Sequence, residues 1–219
     1  MKILITGAAS GIGLACTKHY AAHKLKAIDK NEVDLNDYSA INDFINQEND
    51  FDAMIYCAGI REIETPHLVS YDVWNEVLNV NLTASFLFSQ ALIKKSLVDN
   101  RPLTIVNMAS VSGFQAEVDR AAYVASKFAL IGLTKQLAYQ YGKNQIRVNA
   151  IAPGIIETPL TQHYFADSHL SLKIKTDIPI GFWGQVKHIL PLIDVCLTNE
   201  YLNGAVLVCD GGWTLGRTI

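Results

Sequence analysis

Lys2-Ile3-Leu4-Ile5-Thr6-Gly7-Ala8-Ala9-Ser10-Gly11-Ile12-Gly13 decides the fold of this chain. The apolar run Ile3–Thr6 predicts a buried strand, and the stretch Ile12–Ala22 predicts a helix. Glycines fill the turn between them. A helix that opens from such a turn offers free N–H groups and the positive end of its dipole to an anion. Gly7 and Gly11 let the backbone bend towards a pyrophosphate, and Gly13 lets the helix pack closely on the sheet. A glycine turn that merely joins strand to helix is the plainer alternative.

The same alternation continues outward from this unit. The pattern predicts further strands at Leu25–Asp29, Ala53–Cys57, Thr104–Met108, Arg147–Ile151 and Ala205–Cys209. It predicts further helices at Tyr38–Gln47, Tyr71–Lys95, Ala121–Tyr141 and Val186–Leu197. Strands of continuous Val, Ile, Leu and Ala suit a sheet buried on both faces. Strand–helix alternation then implies an α/β protein with a doubly wound parallel sheet. One place breaks the rhythm. Only Lys30, Asn31 and Glu32 separate Asp29 from Val33, and a parallel crossover needs about a dozen residues. Val33-Asp34-Leu35 is therefore a stub or a loop, and the crossover helix after the second strand is expected to be missing.

A chain of 219 residues is expected to form one domain over 1–219 and to bury roughly 70% of its unfolded surface. The net charge of −3 gives no electrostatic case for nucleic acid or an anionic membrane. No apolar run reaches the ~18 residues of a membrane span. The first strand begins at Lys2, which leaves no room for a signal peptide, so a cytoplasmic location is expected. The four cysteines and six histidines show no metal spacing, so no metal is expected, and the thiols are expected to be free.

Three pairs place a tyrosine four residues before a lysine: Tyr20…Lys24, Tyr123…Lys127 and Tyr139…Lys143. The spacing puts both side chains of a pair on one helix face. An ammonium beside a phenol favours the phenolate and makes the tyrosine a usable acid or base. Context selects the middle pair. Ser110 lies thirteen residues before Tyr123, at the carboxyl end of a predicted strand, where open α/β sheets place ligands. Its hydroxyl could donate to a carbonyl oxygen. The other two pairs are expected on the surface; Gly142 breaks the helix before Lys143. Asp29, ending the second strand, can accept hydrogen bonds from adenosine ribose hydroxyls and would repel a 2′-phosphate. No Arg or Lys lies in the glycine turn, although Lys30 is adjacent, so NAD is expected over NADP.

From Lys2 to about Thr214 the chain resembles the short-chain dehydrogenase/reductase family. The resemblance is carried by Thr6-Gly7-x-x-x-Gly11-Ile12-Gly13, Val80-Asn81-Leu82, Ile105-Val106-Asn107-Met108-Ala109-Ser110, Tyr123-Val124-Ala125-Ser126-Lys127, Arg147-Val148-Asn149-Ala150-Ile151-Ala152-Pro153-Gly154 and Asp210-Gly211-Gly212. It implies a Rossmann-type fold and a reaction centre of Asn81, Ser110, Tyr123 and Lys127. Tyr123 would exchange the proton and Ser110 would orient the substrate oxygen. Lys127 would hold the nicotinamide ribose and lower the Tyr123 pKa, and Asn81 would anchor Lys127 and a water relay. Cofactor contacts are implied for Gly7, Ser10, Gly11, Ile12, Gly13, Asp29, Asp34, Leu35, Cys57, Ala58, Gly59, Tyr123, Lys127, Pro153, Gly154, Ile156 and Thr158. Asp34 would approach the adenine, and Thr158 the nicotinamide amide. The chain departs from the family at Tyr56-Cys57-Ala58-Gly59, where Asn-Asn-Ala-Gly is common.

The resemblance also makes residues 159–184 a substrate lid, carrying His163, Tyr164, Phe165, His169, Phe182 and Trp183. Arg61 and Arg120 are candidates for the pocket mouth. The expected activity is NAD(H)-dependent interconversion of a secondary alcohol and a ketone on a small or medium organic molecule. A dihydrodiol dehydrogenase acting on a cyclic diol acid is the enzymatic rival; a non-catalytic cofactor-binding or scaffold protein is the rival of another class. Homo-oligomerisation, as a tetramer or dimer, is implied by the family.

Overall fold

The computed structural model of the protein describes residues 1–216, so the last three residues of the expected domain lie outside the described residues. The elements run β1 (Lys2–Thr6), α1 (Gly11–His19), β2 (Lys24–Ile28), α2 (Tyr38–Gln47), β3 (Ala53–Tyr56), α3 (Tyr71–Leu78), α4 (Ala84–Asp99), β4 (Leu103–Met108), α5 (Ala121–Tyr141), β5 (Ile146–Pro153), α6 (Gln162–Ala166), α7 (Ser168–Asp177), α8 (Leu190–Thr198) and β6 (Val206–Cys209). The six strands form one parallel sheet in the order β2-β1-β3-β4-β5-β6.

Alternation along each strand divides the core into two layers. Leu4, Met54, Tyr56, Ile105 and Val148 point to the face covered by α2, α4 and α5, where they meet Ile41, Phe88 and Leu137. Ile3, Ile5, Ala53, Ile55, Val106 and Ile151 point to the opposite face, where Cys16 of α1 and Ile193 and Cys196 of α8 meet them. Both faces are dry, which is why these strands read as unbroken apolar runs.

The segment after β2 corrects one expectation. Val33–Leu35 forms no strand, but the crossover helix is present: α2 carries the chain from β2 over β1 to β3. Its start is capped by Asp37, whose carboxylate accepts the Ser39 and Ala40 N–H groups. β2 thus forms an edge of the sheet, beside β1. The chain's direction of winding therefore reverses between β1 and β3, and the carboxyl ends of these two strands form a crevice.

The long helix expected over Tyr71–Lys95 is also interrupted. A π-helical turn, Asn79–Thr83, separates α3 from α4. Such a turn inserts a residue and re-aims the side chains within it; here it carries Asn81. The Tyr20…Lys24 pair is a second correction. Tyr20 is buried rather than on the surface, and its hydroxyl donates to Asp194 Oδ1 at 2.8 Å, joining α1 to α8. Tyr139 is exposed, as expected, and α5 stops before Gly142. Among the described residues no helix is long and apolar enough to cross a membrane.

Candidate active site

The glycine turn sits at the β1 end of the crevice. Gly7 has φ +66°, and a Cβ there would lie 2.8 Å from the Ala58 backbone. A Cβ on Gly13 would lie 2.1 Å from the Gly7 carbonyl oxygen. Both positions therefore exclude any side chain. Thr6 Oγ1 accepts the Ala58 N–H at 3.1 Å, which ties the end of β1 to the loop after β3. Ser10 begins α1 in extended conformation and makes no side-chain cap. The N–H groups of the first helical turn are thus left for an anion. This uncapped, glycine-cleared helix start fits a dinucleotide pyrophosphate.

A cleft of about 460 Å³ opens from this turn along the carboxyl edge of the sheet. It is lined by Gly7, Ser10, Gly11, Ile12, Gly13, Cys57, Ala58, Gly59, Ser110, Tyr123, Lys127, Pro153, Gly154, Ile156 and Thr158. Asp29, Asp34 and Leu35 line an adjoining cavity of about 210 Å³, which shares Gly7, Ser10, Ala58 and Gly59 with the cleft. Asn81 lines neither; it is fully buried behind them.

Around Tyr123 the elements converge. Lys127 is 3% exposed, and its Nζ donates to the Met108 carbonyl at 2.8 Å and lies 5.5 Å from the centre of the Tyr123 ring. Burial pushes the Lys127 ammonium down to about 8. The Tyr123 phenol moves the other way: burial raises it above its ordinary value, while the neighbouring Ser110 hydroxyl opposes the rise. The lowering of the Tyr123 pKa that the family resemblance implies for Lys127 is opposed here by burial of the phenol. The burial penalty on a phenolate dominates, and the lysine is held against the ring and a backbone carbonyl.

Asn81 bridges the loop after β3 and α5. Its amide accepts the Ile60 N–H at 2.8 Å and donates to the Ile60 carbonyl and to Ser126 Oγ at 2.8 and 3.0 Å. It fixes the loop after β3 to α5 and makes no hydrogen bond with Lys127. A Cβ on Gly59 would lie 3.5 Å from both Asn81 Oδ1 and Lys127 Nζ, so the two flank that glycine. Ser110 Oγ accepts the Ser112 N–H at 3.1 Å and lies 3.0 Å from Ser112 Oγ, which donates to Glu117 at 2.5 Å. Thr158 folds back over the glycine turn, with its Cβ 3.4 Å from where a Gly11 Cβ would be. It also begins the short turn Pro159–Thr161, so its side chain has a structural role as well.

Two carboxylates lay outside the sequence reading. Glu62 is 7% exposed and accepts the Ala122 N–H at 2.6 Å and the Tyr123 N–H at 3.1 Å. It caps the helix that carries Tyr123 and Lys127, a task that Arg120 at the N-cap does not perform. It comes from a loop with no periodicity, and nothing local in the sequence marks it. Glu32 Oε2 accepts the Asp29 N–H at 2.9 Å, and Asp29 Oδ1 accepts the Asn31 N–H at 2.8 Å. Glu32 thus braces Asp29 from outside the cavity that Asp29 and Asp34 line. Among the described residues no group of His, Cys, Asp and Glu could hold a metal ion.

A parallel sheet wound both ways around a glycine-turned crevice defines a dinucleotide-binding α/β protein. Residues 31–214 match the family model described as enoyl-(acyl carrier protein) reductase, and the chain belongs to the short-chain dehydrogenase/reductase family. It is 34% identical over 164 residues to 2-dehydro-3-deoxy-D-gluconate 5-dehydrogenase of Escherichia coli (strain K12), a match covering 74% of this chain. The chain spans 65% of that relative's length. A solved 4-hydroxyisoleucine dehydrogenase complexed with NADH superposes with a TM-score of 0.95 at 38% identity, covering 99% of each chain. A structure described as a putative 2-deoxy-D-gluconate 3-dehydrogenase from Agrobacterium tumefaciens, with bound NADP, gives 0.90 at 32% identity, covering 98% of this chain and 96% of the other.

Proposed function

We propose that the protein is an NAD(H)-dependent oxidoreductase that interconverts a secondary alcohol and a ketone on a small or medium organic substrate. The observation that carries this reading is the convergence of Tyr123, Ser110 and Lys127 on the cleft that the glycine turn opens. The bound nicotinamide supplies or accepts the hydride. The chain's own residues do the rest. Tyr123 gives a proton to the substrate oxygen in reduction and removes it in oxidation. Ser110 donates a hydrogen bond to that oxygen and holds it in place. Lys127, turned by binding from the Met108 carbonyl, holds the nicotinamide ribose. Asn81 keeps Ile60 and Ser126 in register around them.

Asp29 and Asp34 favour NAD, because a 2′-phosphate in the cavity they line would meet two carboxylates. Both cofactor types occur among the structural relatives, so this preference rests on the two acids. The segment 159–184 serves as the substrate lid. It is anchored at its base where Gly184 pairs with Ile156 and the Glu157 N–H donates to the Gly184 carbonyl at 2.8 Å. The relatives named above act, by their names, on hydroxylated acids, and an acid is the substrate type that this reading favours over a cyclic dihydrodiol.

A panel of secondary alcohols, ketones and dihydrodiols, followed by nicotinamide absorbance with each cofactor, tests the proposal. Turnover of an alcohol–ketone pair with NAD(H), faster than with NADP(H), is expected. NADH binding without turnover of any pair would favour the non-catalytic reading. Equal or better use of NADPH would overturn the cofactor assignment.

A further inference from the structure

The mouth of the cleft holds two guanidinium groups that no acid neutralises. Arg120 is 6% exposed, and Arg61 is half-buried; both line the cleft with Tyr164. Arg120 donates to the Glu62 and Asp119 carbonyls at 3.1 Å and to the Tyr164 hydroxyl at 3.2 Å. Arg61 lies over the Tyr164 ring, 5.1 Å from its centre, and its Nη2 contacts the Leu160 carbonyl and His163 Nδ1. Among the described residues neither arginine forms an ion pair within 4.0 Å, although Arg101 pairs with acids on the surface.

Their donors are only partly used. A guanidinium carries five N–H donors. The hydrogen bonds of Arg61 all come from Nη2, and the buried Nε of Arg120 has no partner. Two buried or half-buried cations sharing one tyrosine repel each other and lose hydration; their direct hydrogen bonds go to neutral groups, and the buried Glu62 carboxylate is taken up by the Ala122 and Tyr123 N–H groups. An anion between them would relieve both costs, and the fork geometry of arginine suits a carboxylate. Glu117, on the same lining, is engaged by Ser112 and would repel an anion from its own side. The charge distribution therefore steers a carboxylate to the Arg61–Arg120 side.

We propose that Arg61 and Arg120 form a carboxylate-binding subsite, so that the substrate is a hydroxy acid and its oxo acid. The inference rests on the dehydrogenase reading of the same cleft. The carboxylate lies at the lid, between residues of the loop after β3 and Tyr164 of α6, and binding it draws the lid onto the cleft. Arg61 acts as a specificity-determining residue and takes no part in proton or hydride transfer.

Succinate and its uncharged counterpart succinamide, titrated into the enzyme saturated with NADH, test this by the change in NADH fluorescence. The wild type is expected to bind succinate at least tenfold more tightly than succinamide. Arg61→Gln should lose at least tenfold in succinate affinity, Arg61→Lys should recover part of it, and NADH affinity should stay unchanged in both. Arg120→Lys, which keeps the charge but not the fork, should also weaken succinate. Equal binding of the two probes by the wild type, or wild-type succinate affinity in Arg61→Gln, overturns the subsite while leaving the dehydrogenase reading intact. Failure of the wild type to bind NADH overturns both.

Discussion

Glu62 and Lys127 show how single side chains prepare this site. Glu62 reaches from a loop to the N–H groups of Ala122 and Tyr123, so a distant carboxylate fixes the start of the helix that presents the tyrosine. Glu62→Ala leaves those buried donors unpaired, at a cost of about 2–3 kcal/mol. The urea midpoint should fall accordingly, and kcat should drop while NADH affinity changes little. Lys127 is buried against one carbonyl, with its pKa lowered to about 8 from 10.5. Between those two values the unfolded chain binds more protons than the folded one, so this group's contribution to stability rises with pH. Lys127→Met should therefore have a higher urea midpoint than wild type at pH 7, and the gap should narrow as the pH approaches 10. Neither effect was legible in the sequence. Tyr123, Lys127 and Ser110 could be selected by spacing and setting, but Glu62 is joined to them only by the folded path of the loop after β3.

At the scale of elements, the strand–turn–helix unit is the most legible part of the molecule. Its glycines serve steric needs that local sequence reveals: Gly13 touches the Gly7 carbonyl, and Gly7 touches the Ala58 backbone. Gly13→Ala should push the turn open and weaken NADH binding by at least tenfold, measured by fluorescence titration, while circular dichroism retains the helical signal. The π-helical turn at Asn79–Thr83 was not legible, because its residues continue the apolar rhythm of an ordinary helix. Within it Asn81 is buried and bonds Ile60 and Ser126. The short spacing between Asp29 and Val33 correctly ruled out a helix between them, but α2, a few residues later, supplies the crossover after all.

The described residues form a six-stranded sheet, flanked by helices, with β2 at one edge and β6 at the other. The parallel sheet and its two-sided burial followed from alternation and apolar runs, because burial on both faces leaves a strong pattern, whereas the strand order is set by tertiary packing. Arg61 and Arg120, expected at the pocket mouth, do line the cleft; their sharing of Tyr164 was not legible, since the three come from separate segments. The outer faces carry apolar residues: Phe86 and Val98 on α4, Phe128 and Tyr139 on α5, and Val208 on β6. These faces suit the homo-oligomer that the family resemblance implies, and we propose that copies associate through the central helices and the β6 edge. Light scattering should give a mass of two or four chains, each of 24.1 kDa; a mass of one chain would refute it.

The central claim is that Tyr123 moves the proton while the cofactor site works independently of it. Its phenol, raised by burial, should make alcohol oxidation climb with pH through the alkaline range, because the base form is the one required. Tyr123→Phe tests the claim most directly, by single-turnover reduction of the preferred ketone with bound NADH followed by loss of NADH absorbance. The account expects NADH affinity within twofold of wild type and a rate at least a thousandfold lower, the scale of a lost general acid. Retained turnover with the phenylalanine in place would contradict it.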